Sequence, residues 1–284
     1  MVYRDELNII QGVLPPKVQY SESDFDIHDT SITVYADYKI SVLLTDDLAA
    51  LLDGKVYNTI RGDVLLFRPD EIHCGRVFRA GLHRYLDFFI PAEMFNSFKE
   101  DCSTLMYILS DKSSERVNHI SPSDADRDEV LRISENVIRL IISNDPLKRT
   151  LIFSNMLELL ALCRRLYSEQ LRNPRKNNTP ATVSTAICYI NKYFADITGL
   201  SEIASHSNCS ITYLTRSFRR FTGRTVNSYL NECRLFYAKK LLREGLSVTE
   251  ACYRSGFGDC SHFIRVFRKS EGFTPYQYRK ASIY

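Results

Sequence analysis

The chain has 284 residues, 44% of them apolar and 25% charged, with a formal net charge of +3. That balance is ordinary for a globular protein, and the length allows two separate cores. It contains no run of about 18 apolar residues, which excludes a transmembrane helix, and Met1-Val2-Tyr3-Arg4-Asp5-Glu6 lacks the basic-then-apolar layout of a secretory leader, so the expected compartment is the cytosol. Eight cysteines are scattered without any C-x-x-C pair, as expected of small buried residues in a reducing compartment rather than a metal site. The charge is uneven. Residues 181–284 carry 15 Lys and Arg against 7 Asp and Glu, whereas residues 1–180 carry 22 against 27. Only the C-terminal part is therefore expected to meet a polyanion.

From Ile32 to Ile90 the pattern is short and strand-like. Lys39–Thr45 and Lys55–Ile60 are rich in β-branched and aromatic residues, and Asp53-Gly54 between them is a hairpin signal. Arg61-Gly62-Asp63 is a second turn, followed by the apolar run Val64-Leu65-Leu66-Phe67. A strand over His83–Ile90 alternates Leu86, Phe88 and Ile90 with Tyr85, Asp87 and Phe89. Such strands indicate a β-barrel or sandwich.

From Ser123 the period becomes helical. Val130, Ile133, Val137, Leu140 and Ile141 form one apolar stripe. Asn144-Asp145-Pro146 interrupts it, because proline has no amide hydrogen to donate. A second helix then presents Leu151, Ile152, Met156, Leu159, Leu160, Cys163 and Leu166. This hairpin either covers one face of the barrel or pairs two subunits through helices 124–142 and 147–170. Residues 168–180 are polar and aperiodic, and the linker is placed at 171–181.

Beyond the linker the chain repeats itself. Thr215–Gly223 aligns with Ile264–Gly272 at an offset of 49, while Ser201-Glu202-Ile203-Ala204 aligns with Thr249-Glu250-Ala251-Cys252 at 48, which places one extra residue in the second turn. Each copy reads as short helix, tight turn, longer helix, over about 200–222 and 248–271. Leu200–His206 and Val248–Ser255 are the short helices, and Gly256 suits a left-handed turn position. Ser210 and Asp259 are N-caps for Ile211–Thr222 and Cys260–Glu271. In the longer helices Leu214, Phe218 and Phe221 share a packing face, as do Phe263 and Phe267. Thr212, Arg216 and Arg220 lie four apart on another face, matched by Ser261, Arg265 and Lys269. Short polar groups at a helix start with arginine one turn later fit a DNA major groove, where arginine can bond two acceptors on guanine.

Residues 183–280 resemble the DNA-binding domain of the AraC/XylS family of bacterial regulators. The matching residues are Ile190, Ile203-Ala204, Leu214-Thr215-Arg216, Phe218, Gly223, Tyr229, Arg234, Ala238 and Leu241-Leu242, then Gly256-Phe257, Phe263, Arg265, Phe267, Gly272, Thr274-Pro275 and Tyr278-Arg279. The resemblance implies a rigid helix between the units, here Thr225–Glu244, about 30 Å long against the ~34 Å between successive major-groove faces. It assigns base contacts to Thr212, Arg216, Ser261, His262 and Arg265. Arg219, Arg220, Arg224, Arg268 and Lys269 are expected on phosphates, which position the protein without specifying sequence.

Gly62-Asp63, Pro69, His73 and the strand with Tyr85 resemble more loosely the cupin-like barrel of many such regulators. His28, His73 and His83 are isolated and no His-x-His occurs, so neither a metal nor another cofactor is expected. Such a barrel can enclose a small ligand, a sugar for example, and Tyr35, Tyr38, Arg68, His73 and Tyr85 are the candidate contacts. The expected fold is α+β. A cupin-like sensing and dimerising domain with a helical hairpin (1–170) precedes an all-α DNA-binding domain (182–284). The expected function is a ligand-responsive transcriptional activator, a homodimer acting on operator DNA and RNA polymerase. The alternatives are a virulence or stress regulator with a non-sugar ligand or none, and a cupin enzyme with an accessory DNA-binding tail.

Overall fold

The computed structural model describes residues 2–6, 16–25, 32–33, 35–46, 48–52, 54–69, 71–77, 80–91, 94, 100–111, 116–174 and 178–282. His28, Asp53 of the predicted hairpin turn, and linker residues 175–177 lie outside the described residues. Two compact units are present, Met1–Leu52 with Tyr57–Asn177, and Asn178–Tyr284 with Asp53–Val56.

In the first unit the strands are β1 (Val2–Glu6), β2 (Lys17–Phe25), β3 (Ile32–Thr33), β4 (Tyr38–Leu43), β5 (Leu48–Leu52), β6 (Lys55–Thr59), β7 (Val64–Phe67), β8 (His73–Val77), β9 (Gly81–Ile90) and β10 (His119–Ile120). They form a six-stranded sheet, β1-β2-β9-β4-β7-β10, and a four-stranded sheet, β3-β8-β5-β6. The expected barrel is thus not one closed sheet among the described residues. The terminal strands β10 and β3 have only two residues each, too few ladder bonds to close a cylinder.

Alternation along β4 and β9 explains the layers. Ile40, Val42, Leu86, Phe88 and Ile90 are fully buried in a core shared with the helices. The opposite face sends Leu43, Leu65, Phe67 and Tyr85 onto Ala50, Leu52 and Tyr57 of the smaller sheet. A sheet covered on both sides needs buried residues at every position, so even its inward polar residues, Lys39, Ser41 and Asp87, are shielded from water.

Helices α1 (Glu100–Ser110), α2 (Asp124–Ile141) and α3 (Lys148–Arg172) supply the outer layer. Ser123 caps α2, its Oγ accepting from Asp126 N at 3.4 Å. The stripe Val130, Ile133, Val137 and Ile141 is buried against the large sheet, each such side chain contributing about 1.5–3 kcal/mol. In α3, Ile152, Met156, Leu159, Leu160, Cys163, Leu166 and Tyr167 are buried. Leu151, expected on that stripe, instead faces solvent with Ile142 and Leu147 at the hairpin tip, because the stripe starts at Ile152. Residues 168–172 are helical rather than linker, since Leu171 packs on the same core. Among the described residues no helix is long and apolar enough to cross a membrane.

Asp63 joins turn, sheet and helix. Its buried carboxylate accepts from Ile60 N at 3.1 Å, His119 Nε2 at 2.7 Å and Arg127 Nη1 at 3.0 Å. Gly62 beside it has φ +85°, and a Cβ there would meet Arg127 Cγ at 2.6 Å, so the close approach of helix and turn requires glycine.

From Asn178 onward the regular elements of the second unit are all helices: α4 (Ala181–Tyr193), α5 (Leu200–His206), α6 (Ile211–Thr222), α7 (Val226–Arg243), α8 (Val248–Arg254), α9 (Cys260–Glu271) and α10 (Pro275–Ser282). Arg234 of α7 donates from Nε to Phe194 O at 2.9 Å and from Nη2 to Ile197 O at 2.5 Å, satisfying carbonyls that follow α4.

Candidate nucleic-acid interface

The two helix-turn-helix units repeat bond for bond. In the first turn Asn208 N donates to Ser205 O at 3.1 Å and Cys209 N to Ala204 O at 3.0 Å. In the second, Gly256 N donates to Tyr253 O at 3.0 Å and Phe257 N to Cys252 O at 3.1 Å. Every partner is offset by 48, and Asn208 and Gly256 both have positive φ, 51° and 88°. The extra residue is Gly258, after which the offset becomes 49.

Each longer helix then starts on a side-chain cap. Ser210 Oγ accepts from Tyr213 N at 3.2 Å, and Asp259 Oδ1 from His262 N at 2.6 Å. Each ends on a left-handed glycine, Gly223 (φ 78°) or Gly272 (φ 79°). Helix α8 adds a reciprocal box in which Glu250 N donates to Ser247 Oγ and Ser247 N to Glu250 Oε2. Caps of this kind set where a helix starts to within one residue, and so which side chains its face presents.

Burial selects the faces. Leu214, Phe218 and Thr222 are buried in α6, and Phe263 and Phe267 in α9. Thr212, Arg216, Arg219 and Arg220, and Ser261, His262, Arg265, Arg268 and Lys269, are exposed. At 100° per residue, Arg216 and Arg265 stand opposite the buried stripes, at the centre of each outer face. Helix α7, capped by Thr225 Oγ1 accepting from Ser228 N at 3.1 Å, joins the units over 18 residues, about 27 Å.

Arg224 is a correction. It is 7% exposed and pairs with Glu232, so its guanidinium is committed inside the unit and does not face solvent as a phosphate contact must. Tyr213, 49% exposed, is a residue that side-chain type alone missed. The 49-residue offset, which pairs it with His262, is the signal that finds it.

In the first unit the structure brings together three of the five expected ligand residues. The Tyr35 and His73 rings stack at 4.9 Å, and the Lys39 ammonium lies 4.4 Å from the Tyr35 ring centroid and 6.0 Å from that of Tyr85. Phe67 and Phe89 complete an aromatic wall, at 5.1 and 5.6 Å from the same ammonium. Lys39 Nζ donates to Tyr35 Oη at 2.9 Å and pairs with Asp87 at 2.9 Å. Burial pulls the Lys39 pKa down, but Asp87 and Tyr35 outweigh it and the ammonium is held charged. Burial, together with the positive charge of Lys39, lowers His73 to about 3, so its ring is neutral. The other two candidates lie elsewhere. Tyr38 packs on the opposite, helix-facing side, and Arg68 Nη1 donates to Asp111 O at 3.3 Å. For Tyr38 the strand position decides this, since Tyr38 and Lys39 are neighbours and must point to opposite faces, and Arg68 lies just past the end of β7. Lys39 was legible as the lone charge of β4, and Asp87 as the one charge within the run Tyr85–Ile90.

A family model described as a helix-turn-helix domain matches residues 203–281. The HTH-type transcriptional activator RhaS of Salmonella schwarzengrund is 34% identical over 125 residues, 44% of this chain and 44% of that protein, so the chain spans less than half the length of this curated relative. Among solved structures, the C-terminal domain of AraT, a response regulator from Geobacillus stearothermophilus, is 30% identical over 37% of this chain and 88% of that one, with a TM-score of 0.35. ToxT from Vibrio cholerae is 15% identical over 93% of this chain and 98% of that one, with a TM-score of 0.39. A second Salmonella relative, from a paratyphi B strain, is likewise an HTH-type transcriptional activator RhaS, 34% identical over 125 residues. By its C-terminal unit the chain is similar to helix-turn-helix transcriptional regulators.

Proposed function

We propose that the chain is a sequence-specific regulator that reads two successive major-groove faces of operator DNA, Thr212 and Arg216 entering one, and Ser261, His262 and Arg265 entering the other. The observation that carries this reading is the pair of solvent-facing arginines, Arg216 and Arg265, each centred opposite a buried stripe on a helix with a fixed N-cap. Arg219, Arg220, Arg268 and Lys269 flank them and supply the sequence-independent phosphate attraction. In this reading residues 1–170 form a cupin-like sensor whose two sheets enclose a small polar ligand such as a sugar. Tyr35, His73 and Tyr85 offer ring faces, and Lys39 and Asp87 offer a donor and an acceptor. The α2–α3 hairpin, with Ile142, Leu147 and Leu151 exposed at its tip, serves as the homodimer seam, and residues 173–180, between the end of α3 and the start of α4, join the two domains. The protein acts in the bacterial cytoplasm, where it activates transcription by RNA polymerase, as the name of its relative supports. Selection of bound fragments from a randomised duplex library, with and without a panel of sugars, tests it. A two-part motif with half-sites about one helical turn apart is expected, and enrichment of no motif would overturn it.

A further inference from the structure

The two reading helices differ in how their central arginine is held. In α9, Arg265 Nη2 lies 3.2 Å from His262 Nδ1, one turn earlier on the same exposed face. Arginine has no acceptor, so in this contact Nδ1 accepts, from the tautomer that carries its proton on Nε2. The imidazole is itself placed. His262 N is bound by the Asp259 cap at 2.6 Å, and the ring lies against the buried Phe257 at a centroid distance of 6.1 Å. In α6 the equivalent position is Tyr213, and among the described residues Arg216 makes no comparable side-chain bond.

We infer that His262 is a positioning residue for Arg265, selecting one orientation of the guanidinium before DNA arrives, so that the second unit reads its base more sharply than the first. The inference rests on the reading that α9 enters the groove. A free arginine loses several rotatable bonds' worth of freedom when it docks, and a guanidinium already tied to a neighbour loses less. One Nη2 hydrogen is occupied by the imidazole, and the remaining donors keep the fork that matches the guanine edge.

Two substitutions separate this role from direct reading by the imidazole. Asn places an acceptor where Nδ1 stands and removes the outward Nε2–H; Gln reaches the Nε2 position and gives up the Nδ1 acceptor. Binding of the full chain is measured over duplexes varied at each position of its selected site, for wild type, R265A, H262N, H262Q and the H262Q/R265A double variant. R265A defines the base pair read by Arg265. At that base pair H262Q is expected to lose about fivefold or more of the discrimination, H262N to keep it within about twofold, and the double variant to lose no more than R265A. The opposite ranking, with H262N losing discrimination and H262Q keeping it, would overturn the inference in favour of direct reading. Equal weakening on all duplexes by both single variants would overturn it in favour of a plain surface contact. R265A leaving every base preference intact would remove the groove reading itself, and with it this inference.

Discussion

Asn208 and Gly256 hold the same left-handed position in the two turns, but only at Gly256 is the space for a side chain taken. A Cβ there would lie 2.5 Å from Ala195 O and 2.6 Å from Ala195 Cα, backbone atoms that cannot swing away. Gly256→Ala is therefore expected to cost well beyond the roughly 1–2 kcal/mol of a left-handed alanine, because overpacking adds about 1–3 kcal/mol. Asn208→Ala should cost only the backbone part, about 1 kcal/mol. Urea unfolding of both variants checks the order, and equal losses would show that the Ala195 contact relaxes freely.

Asp63 links stability to pH. Burial pushes its pKa up, but hydrogen bonds from His119, Ile60 and Arg127 outweigh this and hold the carboxylate below its usual 3.8. A depressed folded-state value means that this stabilisation is complete above the unfolded value and is lost as pH falls through the folded one. Asp63→Asn should lower stability at neutral pH and flatten its fall below about pH 4. Denaturation midpoints from pH 7 to pH 2 would show it, and an unchanged acid limb would exclude Asp63 as the group responsible.

Lys39 and Asp87 are 5% and 2% exposed, so removing one leaves the other charged and dry. Lys39→Met is expected to cost about 3–5 kcal/mol, while Lys39→Met with Asp87→Leu should recover most of that loss. Thermal unfolding of both variants measures the recovery. If the proposed sensor role is right, the double variant also loses any ligand-induced rise in Tm while staying folded.

The basic residues in and just after the first reading helix, α6, should separate into three behaviours. Arg216→Ala should relax preference at one or two base pairs, by about 1–3 kcal/mol at each. Arg219→Ala should weaken all sequences alike and reduce the dependence of log Kd on log salt by about one phosphate. Arg224→Ala should leave that salt dependence unchanged and lower stability instead, by about 1 kcal/mol, because its partner is the half-buried Glu232. Salt titrations over an operator library, with parallel unfolding curves, sort the three. A salt effect at Arg224 would mean that its guanidinium leaves Glu232 on binding.

The helix-turn-helix units were legible in the sequence because the forces that shape them are local. Ser210 and Asp259 cap amides three residues on, Gly223 and Gly272 close helices by their own φ, and the buried stripes recur every three or four residues. A repeat at 48 and then 49 residues reports the same local geometry twice, with Gly258 as the insertion. The strands β4, β7 and β9 were legible for a similar reason, since period-two alternation marks a face without naming what covers it.

What that alternation could not say is which partner lies across the sheet. Whether Lys39 meets Asp87, whether Arg127 reaches Asp63, and whether the described strands close into one barrel or divide into two sheets depend on contacts between residues dozens apart, and whether Arg224 faces DNA or Glu232, eight residues on, depends on its burial. There a side chain's exposure, not its type, sets what it can do. The sequence by itself determined the two reading helices and their starting points, because caps, glycines and periodicity act within one or two turns. The tertiary structure decided which charged groups remain on those faces and which are spent holding the fold, because burial and long-range pairing are properties of the packed chain.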